Sequence, residues 1–275
     1  MKKTYVAIIL DKSGSMQSTK SAAIAGFNEQ VQQMKINAKT QEILCSLVSF
    51  NGEVYEHLWN VPVDQLEEAN EKDFSPNGST AMMDAVGYVT QKLLSTTDYN
   101  DPDVAYLIIT ISDGETNADK HFNQKALREL VQSCESSNKW TFTYMGCGKE
   151  YLEKVAEMTG TPIANMAAWD NTSKEAVEKS FRNSSLRSAK YFSERELGSV
   201  GTCAFASDSG GVADYSNEES SSEIKMGFAS VNANAIDQNS VQDILNKGPK
   251  YSVNEEIKYT GGNLFKNSVE VKWEK

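Results

Sequence analysis

The order of apolar and polar positions divides the first 192 residues into alternating strands and helices. Residues 4–10 form a continuous β-branched and apolar run, too short for a helix and uniform in the way of a strand buried on both faces. The run predicts a central parallel strand. After a Ser/Gly-rich turn, residues 21–35 place Ile24, Phe27, Val31 and Met34 at spacings of three and four, which predicts one amphipathic helix. Residues 43–50 are again apolar, Asn51-Gly52 is a strong hairpin signal, and residues 54–59 supply the partner, so an antiparallel pair at a sheet edge is expected. The turn-rich segment Ser75-Pro76-Asn77-Gly78-Ser79 then leads into a helical stripe of Met83, Val86, Val89 and Leu93 over residues 80–94. Residues 104–111 are a second uniformly apolar run. They precede a helix over 125–134, a strand over 140–145, a short helix over 150–158, a short strand over 162–164 and a long helix over 174–192.

This alternation predicts an α/β fold. Its core is a doubly wound, mostly parallel central sheet with one antiparallel edge strand and helices on both faces, ending near residue 192. Residues 193–275 differ in character: they hold 8 Lys+Arg against 13 Asp+Glu, two Gly pairs and a Ser/Glu cluster at 217–223. They are expected to form an acidic C-terminal extension. It is either a small β element, using residues 257–260 and Val269-x-Val271-x-Trp273, or a flexible tail.

Charge narrows the function classes. With 27 Lys+Arg against 38 Asp+Glu the chain carries a net charge of -11, and no basic patch stands out, so neither nucleic acid nor an anionic membrane is an expected partner. The apolar run at residues 6–10 is far shorter than the roughly 20 residues needed to span a bilayer, and the N-terminus lacks the longer apolar core and cleavage site of a signal peptide. A soluble, cytoplasmic protein is expected. Cys45, Cys134, Cys147 and Cys203 show no Cys-x-x-Cys spacing and read as reduced thiols, and with only His57 and His121 present no zinc-ligand spacing emerges.

The informative polar residues follow the two apolar runs: Asp11-Lys12-Ser13-Gly14-Ser15 after the first and Ser112-Asp113-Gly114 after the second. In an open parallel sheet the loops at the carboxyl ends of the strands share one rim, where ligands bind. Asp11, Ser13, Ser15 and Asp113 therefore share a rim by topology, and the loop Gly78-Ser79-Thr80 can add a hydroxyl to it. Two carboxylates and three hydroxyls form a hard oxygen set suited to Mg²⁺ or Mn²⁺. Mg²⁺ takes six oxygens, so five from the chain leave a position for an outside ligand. A first shell near neutrality favours a carboxylate there.

At these residues the sequence resembles the von Willebrand factor A (vWA) domain family with its metal-ion-dependent adhesion site (MIDAS), whose pattern is Asp-x-Ser-x-Ser, a separated Thr and a separated Asp. The resemblance spans roughly residues 1–190. It implies that Ser13, Ser15 and Thr80 coordinate the ion, that Asp11 and Asp113 bind it or orient its waters, and that a Glu or Asp of a protein partner completes the shell. Lys12 and Gly14 resemble the intracellular bacterial or phage-type members. The implied function is a non-catalytic, Mg²⁺-dependent protein-binding module. The alternatives are a component of a larger, viral or other, assembly with a stabilising metal, and a metal-dependent hydrolase.

Several other residues have plainer readings. His57 and His121 are expected to be surface or capping residues, and no His is placed to serve Ser13 or Ser15 as nucleophiles. Gly146-Cys147-Gly148-Lys149 is similar to a fragment of a phosphate loop, but Glu150 stands where Ser or Thr is needed. Asp84 is expected to face solvent or the rim, and Glu115 to tune the charge beside Asp113.

Overall fold

Strand β1 (Lys3–Asp11) starts a series that continues as helix α1 (Lys20–Asn37), β2 (Glu42–Phe50), β3 (Val54–Pro62), α2 (Met82–Thr96), β4 (Val104–Ser112), α3 (Gln124–Glu135), β5 (Trp140–Cys147), α4 (Lys149–Thr159), β6 (Met166–Trp169) and α5 (Lys174–Glu196). This is a computed structural model; it describes residues 1–169, 173–208, 210–216, 224–225, 227–228, 238–253, 257 and 259–274. The Ser/Glu cluster at 217–223 and Lys258 of the 257–260 stretch lie outside the described residues. One predicted element is displaced. Residues 162–164 do not form a strand: Ile163–Asn165 make a 3-10 turn, and the strand begins after it at Met166. Pro162 has no N–H to give to a ladder, so pairing starts beyond it.

The uniform apolar runs are explained by burial on both faces. β1 pairs in parallel with β2 on one side and β4 on the other. Val6, Ile8 and Leu10 join an apolar cluster with Ile24, Phe27 and Val31 of α1 and Phe181 of α5. Tyr5, Ala7 and Ile9 join a second cluster with Val86 and Val89 of α2 and Leu127 of α3. Alternate side chains thus serve different layers, and no position in the strand can be polar without cost. β4, β5 and β6 continue the parallel sheet, while β3 runs antiparallel to β2 through the Asn51-Gly52 hairpin.

The remaining elements are β7 (Thr202–Ala204), β8 (Ala213–Asp214), β9 (Gly227–Phe228), α6 (Gln238–Lys247), β10 (Tyr251–Ser252), β11 (Val269–Glu270) and β12 (Lys272–Trp273). Two of them enter the main sheet, whose order is β11-β3-β2-β1-β4-β5-β6-β8. β11 pairs antiparallel with β3, and β8 pairs parallel with β6. Among the described residues no helix is long and apolar enough to cross a membrane.

This packing corrects the expectation for His57. The residue is 4% exposed, its Nε2 lies 2.7 Å from the Ser49 hydroxyl, and its ring meets Phe265 edge-on at 5.1 Å. Burial lowers its pKa to about 3, so it is a neutral core histidine. Phe265 also packs on Phe27 and Phe74, and it comes from the far end of the chain. His121 is half-buried and stacks on Trp273 at 4.4 Å. The cap of α3 is Asn123, whose side chain accepts the Ala126 N–H. Cys45 and Cys134 are buried, Cys147 half-buried and Cys203 exposed, and none of the four is in a disulfide.

Candidate metal centre

Strand order reverses at β1: the chain leaves it for β2 on one side and later reaches β4 on the other. Ligand crevices of doubly wound sheets lie at such a reversal, outside the carboxyl ends of the strands. β1 ends on Asp11 and β4 on Ser112. Asp11 is fully buried. Its Oδ1 accepts the Ser13 N–H at 2.6 Å, which turns the chain sharply after the strand, and its Oδ2 accepts the Ser112 hydroxyl at 2.7 Å, which ties the two strand ends together.

Beyond Asp11 the rim is a chain of oxygens. The Ser13 and Ser15 hydroxyls lie 3.0 Å apart, and Ser15 Oγ donates to Asp113 Oδ1 at 2.6 Å. The structure therefore brings Asp11, Ser13, Ser15 and Asp113 together. Thr80 reaches the same rim on a third loop, held against the first by Gly14 N–H to Gly78 O at 3.1 Å and Asn77 N–H to Lys12 O at 2.7 Å. Gly78 has φ +79, a backbone conformation glycine adopts without a Cβ penalty. Thr80 is 4% exposed, makes no hydrogen bond to the other four, and its own hydroxyl has no hydrogen-bond partner among the described residues.

Electrostatics at the rim follow from burial. Desolvation raises the Asp11 pKa, against the bonds from Ser112 and Ser13, and the nearby Asp113 charge raises it further. Asp113 is raised for the same first reason, against its bond from Ser15. Both carboxylates would be stabilised by a cation. Among the described residues no group of three or more His, Cys, Asp or Glu could hold a metal. A site at this rim thus has to use hydroxyls, and the two carboxylates, two linked hydroxyls and the Thr80 hydroxyl fit a hard ion of the Mg²⁺ or Mn²⁺ kind.

Neighbouring residues were only partly legible. Ser112, the link between strand ends, closes the apolar run just before Asp113-Gly114, and a hydroxyl ending a strand beside Asp113 is the one signal for it. Asn117 and Thr116, which hold the Thr80 peptide, carried no sequence signal. Asp84 faces neither solvent nor the rim: it is 3% exposed and accepts the N–H groups of Lys120, His121 and Phe122 at 2.9, 3.0 and 2.7 Å. Glu115 is exposed and pairs with Lys154 at 3.0 Å, which offsets its charge. Both line a groove of about 390 Å³ with Tyr151 and Met158. Gly146 serves packing, since a Cβ there would lie 3.0 Å from the Ser112 carbonyl oxygen.

The sequence profile of the von Willebrand factor type A domain matches residues 6–195, well over half of the chain. The chain belongs to this family. No curated protein matches it. Among solved structures, this vWA domain is similar to the pilus adhesin SpaC from Lactobacillus rhamnosus GG in its open conformation, with 12% identity and a TM-score of 0.54 over 70% of this chain and 30% of that one. It is also similar to a von Willebrand factor type A protein from Catenulispora acidiphila, with 15% identity and a TM-score of 0.49 over 69% and 43% of the two chains. The chain thus spans less than half the length of either structure, and the SpaC likeness is one of fold.

Proposed function

We propose that this vWA domain is a non-catalytic, Mg²⁺-dependent protein-binding module with a MIDAS at the β1/β4 rim. Ser13, Ser15 and Thr80 bind the ion. Asp11, whose two oxygens already accept Ser13 N–H and Ser112 Oγ, orients the serine loop, and Asp113 balances charge and holds Ser15. Bound there, the ion supplies a Lewis-acid site for a Glu or Asp side chain of a partner protein. The observation that carries this reading is the hydrogen-bonded run Ser13–Ser15–Asp113, which joins the ends of two strands remote in sequence in a set of hard oxygens.

A binding role agrees with that of SpaC, a pilus adhesin of the same fold. The test is isothermal titration of the full chain with Mg²⁺ and Mn²⁺, followed by capture of acidic partners with and without EDTA. Metal binding by the wild-type chain, its loss in Asp11→Ala, and EDTA-sensitive capture are expected. Capture that is equal in EDTA and unchanged by Asp11→Ala would overturn the bridging reading.

A further inference from the structure

We infer that Asn117 is a positioning residue for the candidate metal site, acting through the peptide of Thr80; this rests on the Mg²⁺-binding reading above. Thr80 lies outside regular secondary structure, just before α2, and so its backbone groups have no helix or strand partner. Three consecutive residues of another loop supply them. Asn117 Oδ1 accepts the Thr80 N–H at 3.0 Å, and the Asn117 and Ala118 N–H groups both donate to the Thr80 carbonyl, at 2.8 and 2.9 Å. The Thr116 hydroxyl lies 3.2 Å from the same carbonyl and accepts the Met82 N–H at 3.1 Å.

The loop making this clamp begins at Asp113. A single short segment therefore carries one site oxygen and grips the backbone that carries another, so the placement of Thr80 relative to Asp113 is set locally. Without the clamp it would depend on the long path through α2 and β4. The type of residue also fits. An amide oxygen accepts the Thr80 N–H as a carboxylate would, yet adds no third negative charge to the rim that already carries Asp11 and Asp113. Asn117 is itself exposed, so its side chain contributes little to the apolar core. Groups that orient metal ligands commonly change affinity by about tenfold or more when removed.

The experiment is a double-mutant cycle read by Mn²⁺ affinity, using electron paramagnetic resonance of free Mn²⁺ with the full chain. Asn117→Ala is expected to weaken Mn²⁺ binding about tenfold, and to cost nothing further in a Thr80→Ala background, because the clamp then has no hydroxyl to place. Asn123→Ala removes a cap bond of comparable kind at the start of α3 and is expected to lower the melting temperature without changing Mn²⁺ affinity. Wild-type binding unaltered by Asn117→Ala, or losses that simply add in the double variant, would overturn the role of Asn117 while leaving the metal site standing. Absence of Mn²⁺ binding by the wild-type chain would overturn the site reading and the role of Asn117 with it.

Discussion

Ser15 and Asp113, 98 residues apart in sequence, share a 2.6 Å hydrogen bond from hydroxyl to carboxylate. The bond holds two loops in register, and in the proposed site it fixes the Ser15 hydroxyl that binds the cation beside the carboxylate that balances its charge. A ligand that binds only the folded chain stabilises it by RT ln(1 + [L]/Kd), about 2.7 kcal/mol at a hundredfold excess over Kd. Millimolar Mg²⁺ is therefore expected to raise the melting temperature of the wild-type chain over its value in EDTA, and to leave that of Asp113→Ala unmoved. Thermal melts followed by circular dichroism check this; an equal Mg²⁺ response in both proteins would place the ion elsewhere.

His57 sets part of the acid limb of stability. Its pKa is lowered from 6.5 to about 3 by burial, so the unfolded chain takes up the proton first as pH falls. Its contribution is present above pH 6.5 and is lost progressively as pH falls toward 3. Replacing the ring by Phe leaves the Ser49 hydroxyl unpaired, at a cost of about 1–3 kcal/mol at pH 7. The same His57→Phe change removes the proton uptake, so the variant is expected to lose less stability than wild type between pH 6.5 and 4. Urea midpoints at three pH values measure both effects.

How much of this was readable in advance depends on how each feature is encoded. β1 and β4 were legible because burial on both faces demands an apolar side chain at every position, and Asp11, Ser13, Ser15 and Asp113 could be placed on one rim because parallel strands end on one side. The support around them was not. Asn117 and Thr116 act through single hydrogen bonds from an irregular loop, which leave no periodic trace. Asp84 reads as a surface helix acid until the N–H groups of residues 120–122 are seen to close over it. His57 reads as exposed because the side chain that covers it, Phe265, lies in a segment whose composition looked tail-like.

The contact between α1 and α5 is tight at Gly26, where a Cβ would lie 2.1 Å from Cδ1 of Phe181. That distance is not met by small relaxations, and the clash involves the ring and Cβ of a buried side chain. Overpacking of this kind costs about 1–3 kcal/mol, more than the roughly 1 kcal/mol of helix propensity that Ala gains over Gly. Gly26→Ala is expected to lower the urea midpoint with the slope unchanged. A midpoint at or above that of wild type would mean that α5 is free to shift away from α1.

Phe265 connects the C-terminal extension to the acid limb. Its ring is 8% exposed and packs against Phe27, Phe74 and His57 from outside the alternating strands and helices. Phe265→Ala removes apolar contacts on three sides, for which the usual cost is about 3–5 kcal/mol, and it opens the His57 ring to water. With water present, the folded-state pKa of His57 rises back toward 6.5, so the folded variant takes up the proton that the wild-type fold refuses. The loss of stability is therefore expected to be larger at pH 7 than at pH 4.5. There the wild-type chain has already given up most of what the neutral histidine contributes. Urea midpoints of the two proteins at both pH values, with the His57 ring titrated by NMR, separate the two parts. An equal loss at both pH values would show that Phe265 fills space without controlling the histidine, and a loss near zero at pH 7 would detach the extension from the core altogether.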